Sequence, residues 1–261
     1  MPKPPQKKDA LVKWKERLAN AAASATKVVA QVGGGGNFIS LKSGVLSYQK
    51  AIIPENKMRV IVLAQLLENQ YYDQPFEEGS PASPACYAYG TTDRKTMKPD
   101  PEQVEHPVSD KCDGCENKEF GTADRGKGKA CADVMRLAMI TEGDLGELET
   151  AEIAYMKIPY FTTLEWAGYV RQLSDVHHIS PVGGTDADGA VPPGFITQLE
   201  VVPDKKSQFR VKFKMVEKIE FDEKSFTELA ARTAEALKSI AFPYPRFDTV
   251  KEQPKKGKAR R

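Results

Sequence analysis

Histidine is scarce in this chain, with three residues in 261. His177 and His178 are adjacent, and none of the three has a partner at the spacing of a zinc-protease helix; no nucleophile elbow is present either. Asp186 and Asp188 in GGTDADGA suit a turn or a calcium loop, again without a partner at diagnostic spacing. The sequence therefore makes no positive case for an enzyme. It also lacks any apolar run near the ~18 residues that a membrane helix needs. MPKPPQKKDALVKW has no apolar stretch of signal-peptide length behind its lysines. These absences predict a soluble, cytoplasmic protein with no membrane partner, and 40 % apolar composition is enough to bury a core.

The formal net charge of +2 hides an uneven distribution. Residues 1–31 carry +5 and residues 251–261 another +5, leaving −8 on the body between them. Two basic arms on an acidic body point to an anionic partner touched by the arms and by local patches; lysine-rich ends also serve solubility alone. Apolar residues at 11, 12, 14 and 18 allow a short helix in the first arm, and GGGG at 33–36 reads as a flexible joint after it. The Pro- and Lys-rich tail from Pro243 reads as disordered.

From Asn37 the short runs FISLKSGVLSY, MRVIVLAQLL, ACYAYG, ADVMRLAMI, EIAYMKIP, GFITQLEVV and QFRVKFKMVEKI predict strands. Helices are expected at Thr163–Asp175, with Leu164, Ala167, Val170 and Leu173 on one face, and at about 223–240, with Phe226, Leu229, Ala230, Ala234 and Leu237 repeating. The expected fold is mainly β with a few helices: an OB-like barrel over 37–242 with a cysteine-bound metal insertion at about 86–131 and flexible basic termini.

All four cysteines fall in that insertion, which is otherwise poor in apolar residues: Cys86, Cys112, Cys115 and Cys131. The C-x2-C pair presents two sulfurs from one tight turn, Gly114 lets the backbone bend, and Cys86 and Cys131 sit at strand ends. Four cysteines suit a closed, structural tetrahedral zinc site. An iron–sulfur cluster uses the same residues, and His106 is an alternative ligand to Cys86. Close by, GTADRGK at 121–127 copies most of a phosphate loop, but Gly128 stands where a hydroxyl residue is needed and no strand-to-helix context surrounds it. It reads better as a glycine-hinged basic finger in which Arg125, Lys127 and Lys129 approach phosphates beside Phe120 as a stacking surface, or as a solvated turn.

Phe209, Val211, Phe213 and Met215 alternate with Arg210, Lys212 and Lys214, so one strand face would carry three cations, which edge protection explains equally well. Tyr71, Tyr72, Tyr87 and Tyr89 are candidate base platforms or core, and Trp166 and Tyr169 read as core. The order NFIS, LENQYYD, CYAYG, CDGC-x-N-x-FG, GKGKAC, RLAMI, AYMKIP, W-x-x-YV over about residues 37–219 resembles bacteriophage single-stranded-DNA-binding proteins, some of which carry a zinc finger on an OB-fold. The resemblance implies binding of exposed single strands in replication or recombination without catalysis, alongside phage or host proteins. The ending PKKGKARR departs from the acidic tail of the best-studied binders of this kind. A zinc-bearing interaction protein or transcription cofactor contacting polymerase and DNA is the alternative.

Overall fold

The computed structural model describes residues 37–74, 83–124, 126–205 and 207–244. The expected N-terminal helix, the glycine joint, Arg125 and the tail beyond 244 lie outside the described residues. Eleven strands and two α-helices are present among the described residues, so the chain is mainly β with two helices. No helix is long and apolar enough to cross a membrane. The described residues divide into two compact units: 37–65 with Met135–Ile240, called here the sheet unit, and Leu66–Val134 with 241–244, the cysteine unit.

In the sheet unit, β1 (Phe38–Lys42), β2 (Val45–Tyr48), β3 (Ala51–Ile52), β4 (Lys57–Tyr71), β6 (Cys131–Thr141), β7 (Ala154–Pro159), β10 (Phe195–Asp204) and β11 (Gln208–Lys218) follow the order β11-β10-β4-β6-β7-β1-β2-β3. Only the early part of β4 and the later part of β6 belong to this unit. The short pair β8 (Gly184–Thr185) and β9 (Ala190–Val191) stands apart. Among the described strands this path is open, running from β11 to β3. The expectation of a mainly β chain with a few helices is met at that level.

Val60, Ile61, Val62, Leu63 and Ala64 are all fully enclosed, as are Leu137, Ala138, Met139 and Ile140, so both faces of these central strands are covered. That explains why β4 and β6 read as continuous apolar runs rather than as alternations.

Helix α1 (Tyr160–His177) packs on β11 and β7, and α2 (Glu223–Ser239) on β9. The buried face of α1 is Thr162, Trp166, Tyr169 and Leu173. The stripe expected from Leu164 is therefore corrected, since Leu164 is 52 % exposed. Two large rings have more area to remove from water than Leu164 and Ala167, and they set the rotation of the helix. Trp166 meets Phe213 edge-on at 4.9 Å and donates from Nε1 to Gln65 Oε1 at 2.6 Å. Tyr169 shares a 2.7 Å hydrogen bond with Thr197, so both polar tips are satisfied inside the core. His178, with φ of 56°, ends α1 in a left-handed cap, a structural place for the histidine pair. Asp186 accepts from the N–H groups of Asp188 and Gly189 at 2.9 and 3.1 Å, which makes GGTDADGA a turn.

Gly183 is required by close approach: an added Cβ would lie 2.3 Å from the Leu63 carbonyl oxygen and 2.7 Å from Thr233 Cγ2. Backbone cannot yield as a side-chain tip does. Gly183→Ala should cost about 2–3 kcal/mol, read as a lower urea midpoint; an unchanged midpoint would show that this part of the unit adjusts freely.

In the cysteine unit, the end of β4 pairs antiparallel with β5 (Cys86–Gly90), from Leu67 opposite Gly90 to Tyr71 opposite Cys86. The long segment after β5 has little regular structure but is not loose. Met97 and Val104 are buried, Cys112 N–H bonds to Met97 O at 3.0 Å, and Asp93 caps the turn at Arg94–Thr96. Cys86, Tyr87 and Val104 form one small cluster with Tyr71, Tyr89 and Tyr244 against it, and Ala88, Met97 and Cys112 form another with Leu67.

Candidate metal centre and nucleic-acid surface

Cys112 and Cys115 lie on a tight turn. Cys115 N–H returns to Cys112 O at 3.4 Å, Lys118 N–H returns to Cys115 O at 2.9 Å, and Gly114 between the sulfurs takes φ of 74°. That left-handed position is one a side chain would strain, so the glycine makes the turn possible. Cys86 comes from the start of β5 and Cys131 from the start of β6. All four are buried, none is in a disulfide, and all four line one cavity of about 10 Å³.

Among the described residues no three His, Cys, Asp or Glu side chains form a group already set to hold a metal ion. The thiols share a cavity without being drawn together around a point. Burial pushes the Cys131 thiol up to about 12, against the pull of Lys118, and burial likewise raises Cys86. Raised above the ordinary thiol value, Cys86 and Cys131 are neutral at pH 7 without a metal or another strong positive partner. His106 is exposed, beside Glu105 at 4.0 Å, and does not line the cavity.

The surroundings of the cavity are cationic. Lys118 lines it and reaches Asp133 at 3.1 Å; Arg94 and Lys129 reach the same carboxylate at 3.6 and 3.4 Å. Burial pushes the Asp133 carboxyl up, but these three cations outweigh it and hold it below the usual carboxylate range. Three positive charges on one carboxylate leave a net positive cluster beside four sulfurs. A divalent ion bound by four thiolates carries two negative charges, so this is a setting in which such a complex is balanced. Arg94 is also a strut: it donates to Glu68 O at 2.9 Å, Asn69 Oδ1 at 2.8 Å and Val134 O at 2.7 Å.

The basic finger follows the cysteine turn directly. Gly121 and Ala123 N–H groups converge on Gly128 O at 2.8 and 3.2 Å, closing a small loop. Phe120 is 79 % exposed, and the Lys129 ammonium stands 4.9 Å from its ring centroid. Lys127 is exposed. The tyrosines divide. Tyr87 is buried against Tyr89 and Tyr244, Tyr71 and Tyr89 are half-buried in the same cluster, and Tyr72 is exposed.

In the sheet unit, Val211 is buried on β11 while Phe209, Phe213 and Met215 are half-buried. Arg210 is tied to Glu165 at 2.6 Å and to Asp204 at 2.9 Å, and Lys212 to Glu165 at 2.9 Å; Lys214 is exposed. The cation stripe therefore exists, with two of its members neutralised. Hydrogen bonds from Lys212 and then Arg210 hold the Glu165 carboxyl below its usual range. A carboxyl depressed by folding stabilises above its ordinary value of ~4.3, and that contribution disappears as pH falls through the lowered folded value. Glu165→Gln should therefore destabilise the protein at pH 7 by about 0.5 kcal/mol or less for a solvent-screened pair, read as a slightly lower urea midpoint, and leave the midpoint unchanged at acid pH. A difference that persists at acid pH would mean that Glu165 acts through shape rather than charge.

Asp133, Lys118, Arg94 and Asn69 were not legible as site residues. One signal was available: Asp133 is two residues after Cys131 on a strand and so shares its face. In comparison with known proteins, the chain matches no family, no curated protein and no solved structure.

Proposed function

We propose that the protein binds single-stranded DNA with little sequence preference, acting in the cytoplasm on strands exposed during replication or recombination, and that its cysteine unit is a zinc module carrying the binding finger. The observation that carries this reading is Phe120: a large apolar ring left 79 % exposed on a glycine-closed loop, with an ammonium 4.9 Å from its centroid. An unpaired base can stack on such a ring while the lysines meet its phosphate, an arrangement that duplex DNA, its bases already stacked, cannot use. In this reading Cys86, Cys112, Cys115 and Cys131 hold zinc, which fixes the turn from which Phe120 projects. The ligand type and the close Cys112–Cys115 spacing favour zinc over an iron–sulfur cluster. The β-sheet serves as the OB-like scaffold of the phage proteins that the sequence resembles, with Lys214 and the salt-bridged Arg210 and Lys212 as a secondary basic strip. There is no catalytic step.

A second reading, a zinc-bearing interaction protein, is favoured by one feature of the sheet unit: Tyr160, Phe161 and Leu164 on α1 are all more than 40 % exposed, an apolar face suited to a protein partner. Titrating labelled oligo-dT and a duplex of equal length at physiological salt separates the two. Tighter binding to oligo-dT supports the single-strand reading. Equal or tighter binding to duplex defeats it, because cations alone favour the higher phosphate density of duplex.

A further inference from the structure

Asn69 is 1 % exposed, near the end of β4, and lines the cysteine cavity. Its two ends differ. Oδ1 accepts from Arg94 Nη1 at 2.8 Å, whereas Nδ2 is buried with no hydrogen-bond partner among the described residues. Arginine can only donate, so its contact fixes which end of the amide is oxygen and leaves the NH2 as the end without a partner. The arginine is itself pinned by the backbone oxygens of Glu68 and Val134 and by Asp133, so the amide cannot turn over without breaking a buried, braced bond. A buried amide donor without an acceptor is costly and uncommon. The four cysteine sulfurs line the same cavity, and a metal-bound sulfur accepts hydrogen bonds.

Resting on the zinc reading above, we infer that Asn69 is a positioning residue of the metal centre: its Nδ2 donates to a metal-bound cysteine sulfur, and Arg94 holds it in the orientation to do so. A metal-bound sulfur accepts hydrogen bonds, so loading the site would satisfy a buried group of the protein that lines the same cavity as well as the metal. Asn69 and Lys118, which lines the same cavity, thus present a neutral and a charged donor to the sulfurs, as suits a centre with a net negative charge.

The test uses the full chain and two variants. Asn69→Leu removes both ends of the amide; Asn69→Asp keeps the acceptor for Arg94 and replaces the donor with a second oxygen. Zinc transfer to a chromogenic chelator and the charge-transfer band of the cobalt(II)-loaded proteins are measured, with circular dichroism to check folding. Both variants should lose zinc affinity by about 10- to 100-fold. The cobalt band of the leucine variant should move to longer wavelength, because a sulfur that loses its hydrogen bond releases charge to the metal more easily. If wild-type protein holds metal and neither affinity nor band moves, the inference is overturned and the metal reading stands. It is also overturned if only Asn69→Leu loses zinc, since that assigns Asn69 to holding Arg94. If wild-type protein takes up neither zinc nor cobalt, both readings fall. Should one variant fail to fold, the other decides.

Discussion

Protein purified without chelators should contain one zinc per chain, and Cys112→Ser or Cys115→Ser should abolish it. The same substitutions should expose the backbone amides between about residues 90 and 130 to rapid hydrogen exchange. The size of the effect follows from what else holds that segment. Its main buried apolar side chains are Met97 and Val104, together about 4 kcal/mol of burial, against on the order of 10 kcal/mol for a structural zinc site. The metal term is the larger, so losing one ligand should cost more than losing either apolar anchor. Metal analysis showing no zinc, or exchange protection in the serine variants equal to wild type, would show that Arg94 and the apolar contacts suffice.

Phe120→Ala should weaken oligo-dT binding by about 1–3 kcal/mol, the worth of one stacked base, with no change in thermal stability, because the ring buries little. Adding Lys127→Ala and Lys129→Ala should reduce the steepness of the salt dependence by about 0.7 for each phosphate that a lysine no longer neutralises. Lys129 should contribute less than Lys127, since it already serves Asp133. Tyr87→Ala provides the contrast: the ring is buried, so it should lower stability, with binding falling only in proportion to unfolding. Unaltered oligo-dT affinity in the triple variant would remove the finger from the interface. Glu165→Gln then becomes the informative change: if β11 carries the interaction, freeing Lys212 and leaving Arg210 with Asp204 alone should tighten binding at low salt and steepen its salt dependence.

The main strands and both helices were legible because each is a local signal: apolar runs bounded by Gly, Pro and Asp for β4, β6 and β10, and helical spacing for α1 and α2. The cysteine turn was legible for the same reason, since Cys112, Gly114 and Cys115 state their geometry within four residues. What was hidden depends on partners far away in the chain. Leu164 and Trp166 both look apolar, and which faces inward is decided by Phe213 and Gln65. Tyr87 reads equally well as platform or core until Tyr244 is known to meet its ring at 4.8 Å. Asn69 has no sequence signature: its significance comes from Arg94, 25 residues on, and from cysteines brought to the same cavity by strand pairing. Arg210 and Lys212 look like free cations until Glu165 is placed against them.

The cysteine unit is assembled from two stretches of chain, and the second has a consequence for how the protein is made. Tyr244 rests edge-on against Tyr87 with its hydroxyl on Glu68 and Gln70, and Phe242 O accepts from Tyr89. Emerging from a ribosome, the unit has its cysteines and finger by residue 134, yet the Tyr87 face must wait for more than a hundred further residues before its cover arrives. A nascent chain stalled before residue 244 would present that tyrosine face bare. A truncation meant to remove only the basic tail belongs after Tyr244: cut at 240, it would strip the cover as well as the charge, and a loss of binding would report on both.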